Sequence, residues 1–184
     1  MKSQGLYSFT YGRLEWRAKF PTGVGFWPAL WLLGTNISSV GWPKCGEIDV
    51  FENTGTNTLM VQSSIHSGGD ATGIYNFLDG AVTNFHTYTL DWTTNAMLFY
   101  VDGHLFQTQT RWTSKAGAYP TPFDRPFFLL MNFAIGGNYV SNPTVNDINT
   151  HSVFPSEVQV DYVRVYNTTA PFGLAVSQTS TNLP

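Results

Sequence analysis

The segment GRLEWRAKFP alternates without a break. Leu14, Trp16, Ala18 and Phe20 fall on one side, and Arg13, Glu15, Arg17 and Lys19 on the other. Successive side chains of a strand point to opposite faces, so this is the pattern of a strand buried on one side only. Nowhere do apolar residues recur at helical spacing for three turns. A chain with strand periodicity and no helical one must bury its apolar faces sheet against sheet. The expected class is all-β, a β-sandwich or jelly roll.

Other segments extend the pattern. GFWPALWLLG is an apolar run between glycines, which predicts a strand buried on both faces. Pro28 lacks a ladder N–H there and marks an edge or a bulge. FHTYTLDWTTNAMLFYVDGHLFQTQT reads as three strands, with turns at Thr94-Asn95 and Asp102-Gly103. Asp-Gly is a type I′ hairpin signal. RPFFLLMNFAIGG is a further apolar strand stopped by paired glycines, and VQVDYVRVYN places Val158, Val160, Tyr162, Arg164 and Tyr166 on one face. Its 184 residues suffice for one domain, expected over 1–167, followed by a flexible tail at 168–184.

Only 11% of the residues are charged, well below the average of about a quarter, and the net charge is −3. That balance makes no electrostatic case for nucleic acid or an anionic membrane as partner. No apolar run is long enough to span a bilayer. Low charge with 17 Gly and 10 Pro fits a secreted all-β protein. The triplets Asn36-x-Ser38 and Asn167-x-Thr169 are N-glycosylation acceptors, and the first ten residues lack the apolar core of a signal peptide. Cys45 has no second cysteine to pair with and reads as a small buried apolar residue. The four histidines show no metal-ligand spacing.

Against this background, GEIDVFEN concentrates acid. Three of the 12 Asp and Glu residues, Glu47, Asp49 and Glu52, occupy six positions inside an apolar segment. Glu47 and Asp49 share a face, but simple alternation would put Phe51 with them and Glu52 opposite. A β-bulge at Val50-Phe51 absorbs one extra residue and returns Glu52 to the acid face. Crowded carboxylates cannot all ionise easily, so one is held as an acid while another stays charged. Glycosidases use such pairs, and spacing alone does not separate retaining from inverting geometry. A solvated strand face or a cation site is the plainer alternative. Trp27, Trp31, Trp42 and His66 lie in segments that read as neighbours, and sugar rings stack on indole faces.

From Tyr11 to Tyr166 the chain resembles glycoside hydrolase family 16, in its laminarinase-like branch of endo-β-1,3-glucanases. The matching segments are YGRLEWRAKFPTGVGFWPALWLLG, WPKCGEIDVFEN, SSIHSGG, FHTYTLDWT, FYVDG, PFDRPFFLLMNFAIGGN and VDYVRVY, in the family's order. The resemblance implies a concanavalin A-like jelly roll of two curved antiparallel sheets. It implies Glu47 as nucleophile, Glu52 as general acid/base and Asp49 as the residue tuning Glu47. It places Trp27, Trp31, Trp42, His66 and Asn132 around the polysaccharide. No cofactor is required for the chemistry. A structural calcium near Asp161 is a further expectation, with an ordinary surface acid as its rival.

Family members carry additional strands ahead of the YGRLEWRAKFP segment, where this chain has only residues 1–10. The domain is therefore expected to be N-terminally incomplete, with Trp16, Phe20, Trp31, Phe127 and Phe128 losing cover. A full-length parent is expected to be extracellular or in the cell wall and to act as a monomer on β-glucan. The alternatives are a glucan-binding module without catalysis and an inactive fragment of such an enzyme.

Overall fold

The computed structural model describes residues 1–78 and 80–167; the expected tail at 168–184 lies outside them. Ten strands form two five-stranded antiparallel sheets. One sheet has the order β10-β1-β6-β7-β8, from β1 (Gly12–Lys19), β6 (His86–Trp92), β7 (Met97–Val101), β8 (His104–Gln109) and β10 (Gln159–Tyr166). The other has the order β5-β4-β3-β2-β9, from β2 (Phe26–Gly34), β3 (Glu47–Glu52), β4 (Met60–His66), β5 (Ala71–Asn76) and β9 (Phe127–Ile135). Two short helices, α1 (Ile37–Val40) and α2 (Val145–His151), lie in connections. No helix among the described residues is long and apolar enough to cross a membrane.

The alternation of β1 holds: Leu14, Trp16, Ala18 and Phe20 are at most 3% exposed. They meet Leu30, Leu32, Ile48 and Phe51 of the facing sheet in one apolar core. Each such side chain contributes roughly 1.5–3 kcal/mol when taken out of water. Phe127 and Phe128 are also buried, at 0% and 2%, and the chain ahead of β1 runs antiparallel to β9 through bridges Lys2–Leu130 and Phe9–Phe127. Of the five residues expected to lose cover, only Trp31 is part-exposed, and it faces a cleft. The Asp102-Gly103 turn has φ of 49° and 81°, the left-handed pair a type I′ hairpin demands.

Three sequence expectations need correction. β2 is an interior strand whose second face is a cleft wall, with Trp27, Trp31 and Leu33 only half-buried. Pro28 pairs in register with Phe133, and β3 has already ended opposite Ala29. Proline therefore borders an unpaired flank, where its missing N–H is tolerated. In β10 the alternation breaks: Arg17 pairs with Tyr162 but Ala18 with Val160, leaving Asp161 as a bulge. Val163 and Val165 then lie opposite Trp16 and Leu14, with Val165 packed on the core and Val163 left 40% exposed, while Tyr162, Arg164 and Tyr166 lie opposite Arg17, Glu15 and Arg13.

Candidate active site

The acid strand is bulged where the sequence requires. On β2, Leu30 pairs with Phe51 and Trp31 with Asp49, so Val50 has no partner of its own. On β4 the register steps from Ser64 opposite Asp49 to Gln62 opposite Glu52. Ile48, Val50 and Phe51 all enter the core. The ring of Phe51 packs between Phe20 (centroids 4.0 Å apart) and Tyr88 (4.7 Å) of the facing sheet. With two consecutive side chains held inward, Glu52 returns to the face of Glu47 and Asp49.

Pairing lines the other residues up beside them. Asn132, Ala29, Glu52 and Gln62 form one row across four strands, and Leu130, Trp31, Asp49 and Ser64 the next. His66 pairs with Glu47. The small side chains of Ala29 and Ala134 leave a cavity of about 230 Å³, walled by Trp27, Trp31 and Asn132 and floored by the three acids. Each glutamate accepts one indole N–H: Trp42 Nε1 donates to Glu47 Oε2 at 2.9 Å, and Trp27 Nε1 to Glu52 Oε1 at 3.0 Å. Trp31 Nε1 donates to Asn132 Oδ1 at 2.6 Å. The three acids and the five residues singled out around them thus lie together, Trp27, Trp31 and Asn132 in the cleft wall and Trp42 and His66 in contact with Glu47 and Asp49.

Burial dominates the electrostatics. It pushes Glu47 up to about 7 and Asp49 to about 6, and raises Glu52 as well. Each acid also feels another's negative charge, Glu47 that of Asp49 and Glu52 that of Glu47. The indole donors and His66 oppose this by stabilising the charged forms. His66 itself is raised to about 9, first by Asp49 and with help from Asp70. Its Nε2 lies 3.1 Å from Asp49 Oδ2 and its Nδ1 3.1 Å from Asp70 Oδ2, so at neutral pH it is an imidazolium between two carboxylates. Glu47, Asp49 and His66 are close enough together to hold an ion, but an imidazolium offers no lone pair to one.

Asp161 is elsewhere. It lies on the other sheet, half-exposed, with its carboxylate 3.0 Å from Arg17 Nη1. Among the described residues it belongs to no group of three or more acids, cysteines and histidines close enough together to hold an ion. Cys45 is fully buried, and burial raises its thiol, which suits the packing role expected of it. Two residues at the site escaped the sequence reading. Asp70 reaches His66 from the β4–β5 turn. Tyr139 stacks on Trp27 with centroids 4.9 Å apart, and burial together with the Glu52 charge raises its phenol. The GGN sequence just before Tyr139 was the available signal, since paired glycines let the chain double back towards β2.

Two antiparallel sheets thus carry two glutamates and an aspartate on one bulged strand. The chain belongs to glycosyl hydrolases family 16, whose profile matches residues 1–163. It is 41% identical over 171 residues to glucan endo-1,3-beta-glucosidase A1 of Niallia circulans, covering 86% of this chain and 24% of that protein. It is 37% identical to a beta-glucanase of Rhodothermus marinus, covering 89% of this chain and 60% of the relative. It therefore spans less than two thirds of either. Laminarinase from Flavobacterium sp. UMI-01 superposes with a TM-score of 0.79 at 40% identity, over 90% of this chain and 71% of that structure.

Proposed function

We propose that this domain hydrolyses internal β-1,3-glucosidic bonds of laminarin-type β-glucan by a retaining double displacement. The observation that carries the reading is the bulge that aims Glu47, Asp49 and Glu52 into one cleft, each glutamate bearing an indole donor. Glu47 attacks the anomeric carbon, and the bond to the leaving oxygen breaks as protonated Glu52 delivers its proton there. Glu52 then takes a proton from water, which displaces Glu47 and regenerates the acid with net retention. Trp27, Trp31, Trp42 and Asn132 bind the sugar, and His66 holds Asp49.

The proton inventory sets a condition on this cycle. In the free site burial and the charge of Asp49 favour a proton on Glu47, whereas attack needs Glu47 charged and Glu52 protonated. Catalysis draws on the state in which the cluster's proton has moved to Glu52. The imidazolium of His66 favours ionised Glu47 and Asp49, and so helps populate that state.

In this reading the chemistry needs no metal, the protein acts as a monomer, and its setting is extracellular, where β-glucan polymers lie. Laminarin is cleaved faster than lichenan, cellulose is untouched, and a sugar can replace water to give transglycosylation. The test is release of reducing ends from laminarin by the protein and by Glu47→Gln. Loss of activity in the variant supports the assignment. Binding of laminarin without cleavage by the wild type would make the domain a glucan-recognition module instead.

A further inference from the structure

We infer that the pocket between the β4–β5 turn and the chain following β8 is a second sugar subsite, taking glucosyl units that extend past the acids on the β5 side. This rests on the glucan reading above. The cavity measures about 490 Å³, within the size range of ligand pockets, and is lined by Asp70, Arg111, Trp112 and Tyr119 among others.

Three observations give the pocket its ligand. The first is its platform. Tyr119 is 41% exposed, while Trp112 behind it is buried, donates its indole N–H to Pro120 O at 3.1 Å and packs edge-on against core Phe123. An aromatic ring with a fixed backing presents an apolar face to the C–H side of a pyranose at little cost in conformational entropy. The second is its polar rim. The Asp70 carboxylate and the Arg111 guanidinium are both exposed beside the ring and offer acceptors and donors suited to sugar hydroxyls. Opposite charges at one rim suit a neutral hydroxylated chain better than an ion.

The third observation is position. Asp70 contacts His66, whose other ring nitrogen contacts Asp49, so one imidazole separates this pocket from the acid cluster. Trp27, Trp31 and Asn132 wall the cleft on the β2 and β9 side of the acid strand, and this pocket lies off the β4 and β5 side. A chain crossing the strands over β3 has sugar contacts on one flank from the tryptophan wall. It gains them on the other from Tyr119.

The pocket is also built rigidly. Ser67 Oγ donates to Thr113 O at 2.9 Å, Lys115 N donates to Ser67 O at 2.8 Å, and Gly68 bridges Ser114. At Gly69 a Cβ would fall 1.8 Å from Thr113 Oγ1, so only glycine lets the two segments close to this distance. A pocket fixed before the ligand arrives loses less entropy on binding.

The experiment measures binding of laminari-oligosaccharides of three to eight units by calorimetry, in the Glu47→Gln background so that nothing is cleaved. Affinity is expected to rise with length. Tyr119→Ala and Arg111→Ala should each remove that gain for the longer oligosaccharides, by about tenfold for Tyr119→Ala, and leave the trisaccharide unchanged. Tyr119→Phe, which keeps the ring, should retain it, and unchanged melting temperatures exclude misfolding. Length dependence that survives both alanine variants overturns the inference, as does a Glu47→Gln protein that binds no oligosaccharide. Cleavage by the wild type is scored separately. A protein that binds through Tyr119 but cleaves nothing keeps the subsite and loses the proposed reaction.

Discussion

Phe51 lies flat on Phe20 across the two sheets, ring centroids 4.0 Å apart and planes 9° from parallel, and Glu52 follows it directly onto the cleft face. Core packing and acid placement are therefore one event. Phe51→Ala is expected to cost about 3–5 kcal/mol of stability and, because the bulge loses its anchor, to lower kcat more than it raises KM. Denaturant unfolding and steady-state kinetics on laminarin measure both. A destabilised protein with wild-type kcat would separate the two roles.

Stability should fall as pH rises from 5 to 9. Glu47 and Asp49 have folded values raised to about 7 and about 6 above ordinary values of 4.5 and 3.8, so the folded state holds protons the unfolded chain has released. Their contribution is lost as pH climbs through the folded values. His66, raised from 6.5 to about 9, stabilises fully below 6.5 and loses this as pH passes 9. Calorimetric Tm values across this range check the sign. Glu47→Gln should flatten the part below 7, and His66→Gln the part above it. A Tm that climbs with pH would contradict the electrostatics.

Activity should follow a bell in pH whose limbs belong to the coupled acid cluster, the basic limb lying above the ordinary carboxylate range because burial and then the Glu47 charge raise Glu52. His66→Gln removes the positive charge that favours the ionised acids, so it should move this limb to higher pH. An unmoved limb would take His66 out of the proton network.

Glu52→Ala should slow both steps and be partly rescued by azide on substrates with good leaving groups. Azide attacks the glycosyl-enzyme without needing a base. Kinetics unaltered by the substitution would remove Glu52 from its assigned role.

What could be read from the sequence was whatever lies within one strand or one turn. The faces of β1, the Asp102-Gly103 hairpin and the bulge beside Glu52 each follow from a few consecutive residues. The β10 bulge could not be read because valine occupies both parities, Val158 and Val160 in one and Val163 and Val165 in the other. Only pairing with Ala18 and Trp16 decides where the shift falls. Asp70 was invisible for another reason. It reaches His66 because Gly68 and Gly69 pack on Lys115 and Thr113, a contact more than forty residues away in the chain. The stack of Tyr139 on Trp27 is equally a product of tertiary folding.

The unpaired Val50 also makes this strand tolerant of one particular loss. Remove Val50, and Phe51 still enters the core while Glu52 falls two places after Asp49, on the cleft face by plain alternation. Remove Ile48 instead, and Glu47 and Asp49 become neighbours on opposite faces. A lineage could thus shed or regain a codon at Val50 without scattering its acids, at the expense of one buried side chain. Between Glu47 and Asp49 the same event would turn the site inside out.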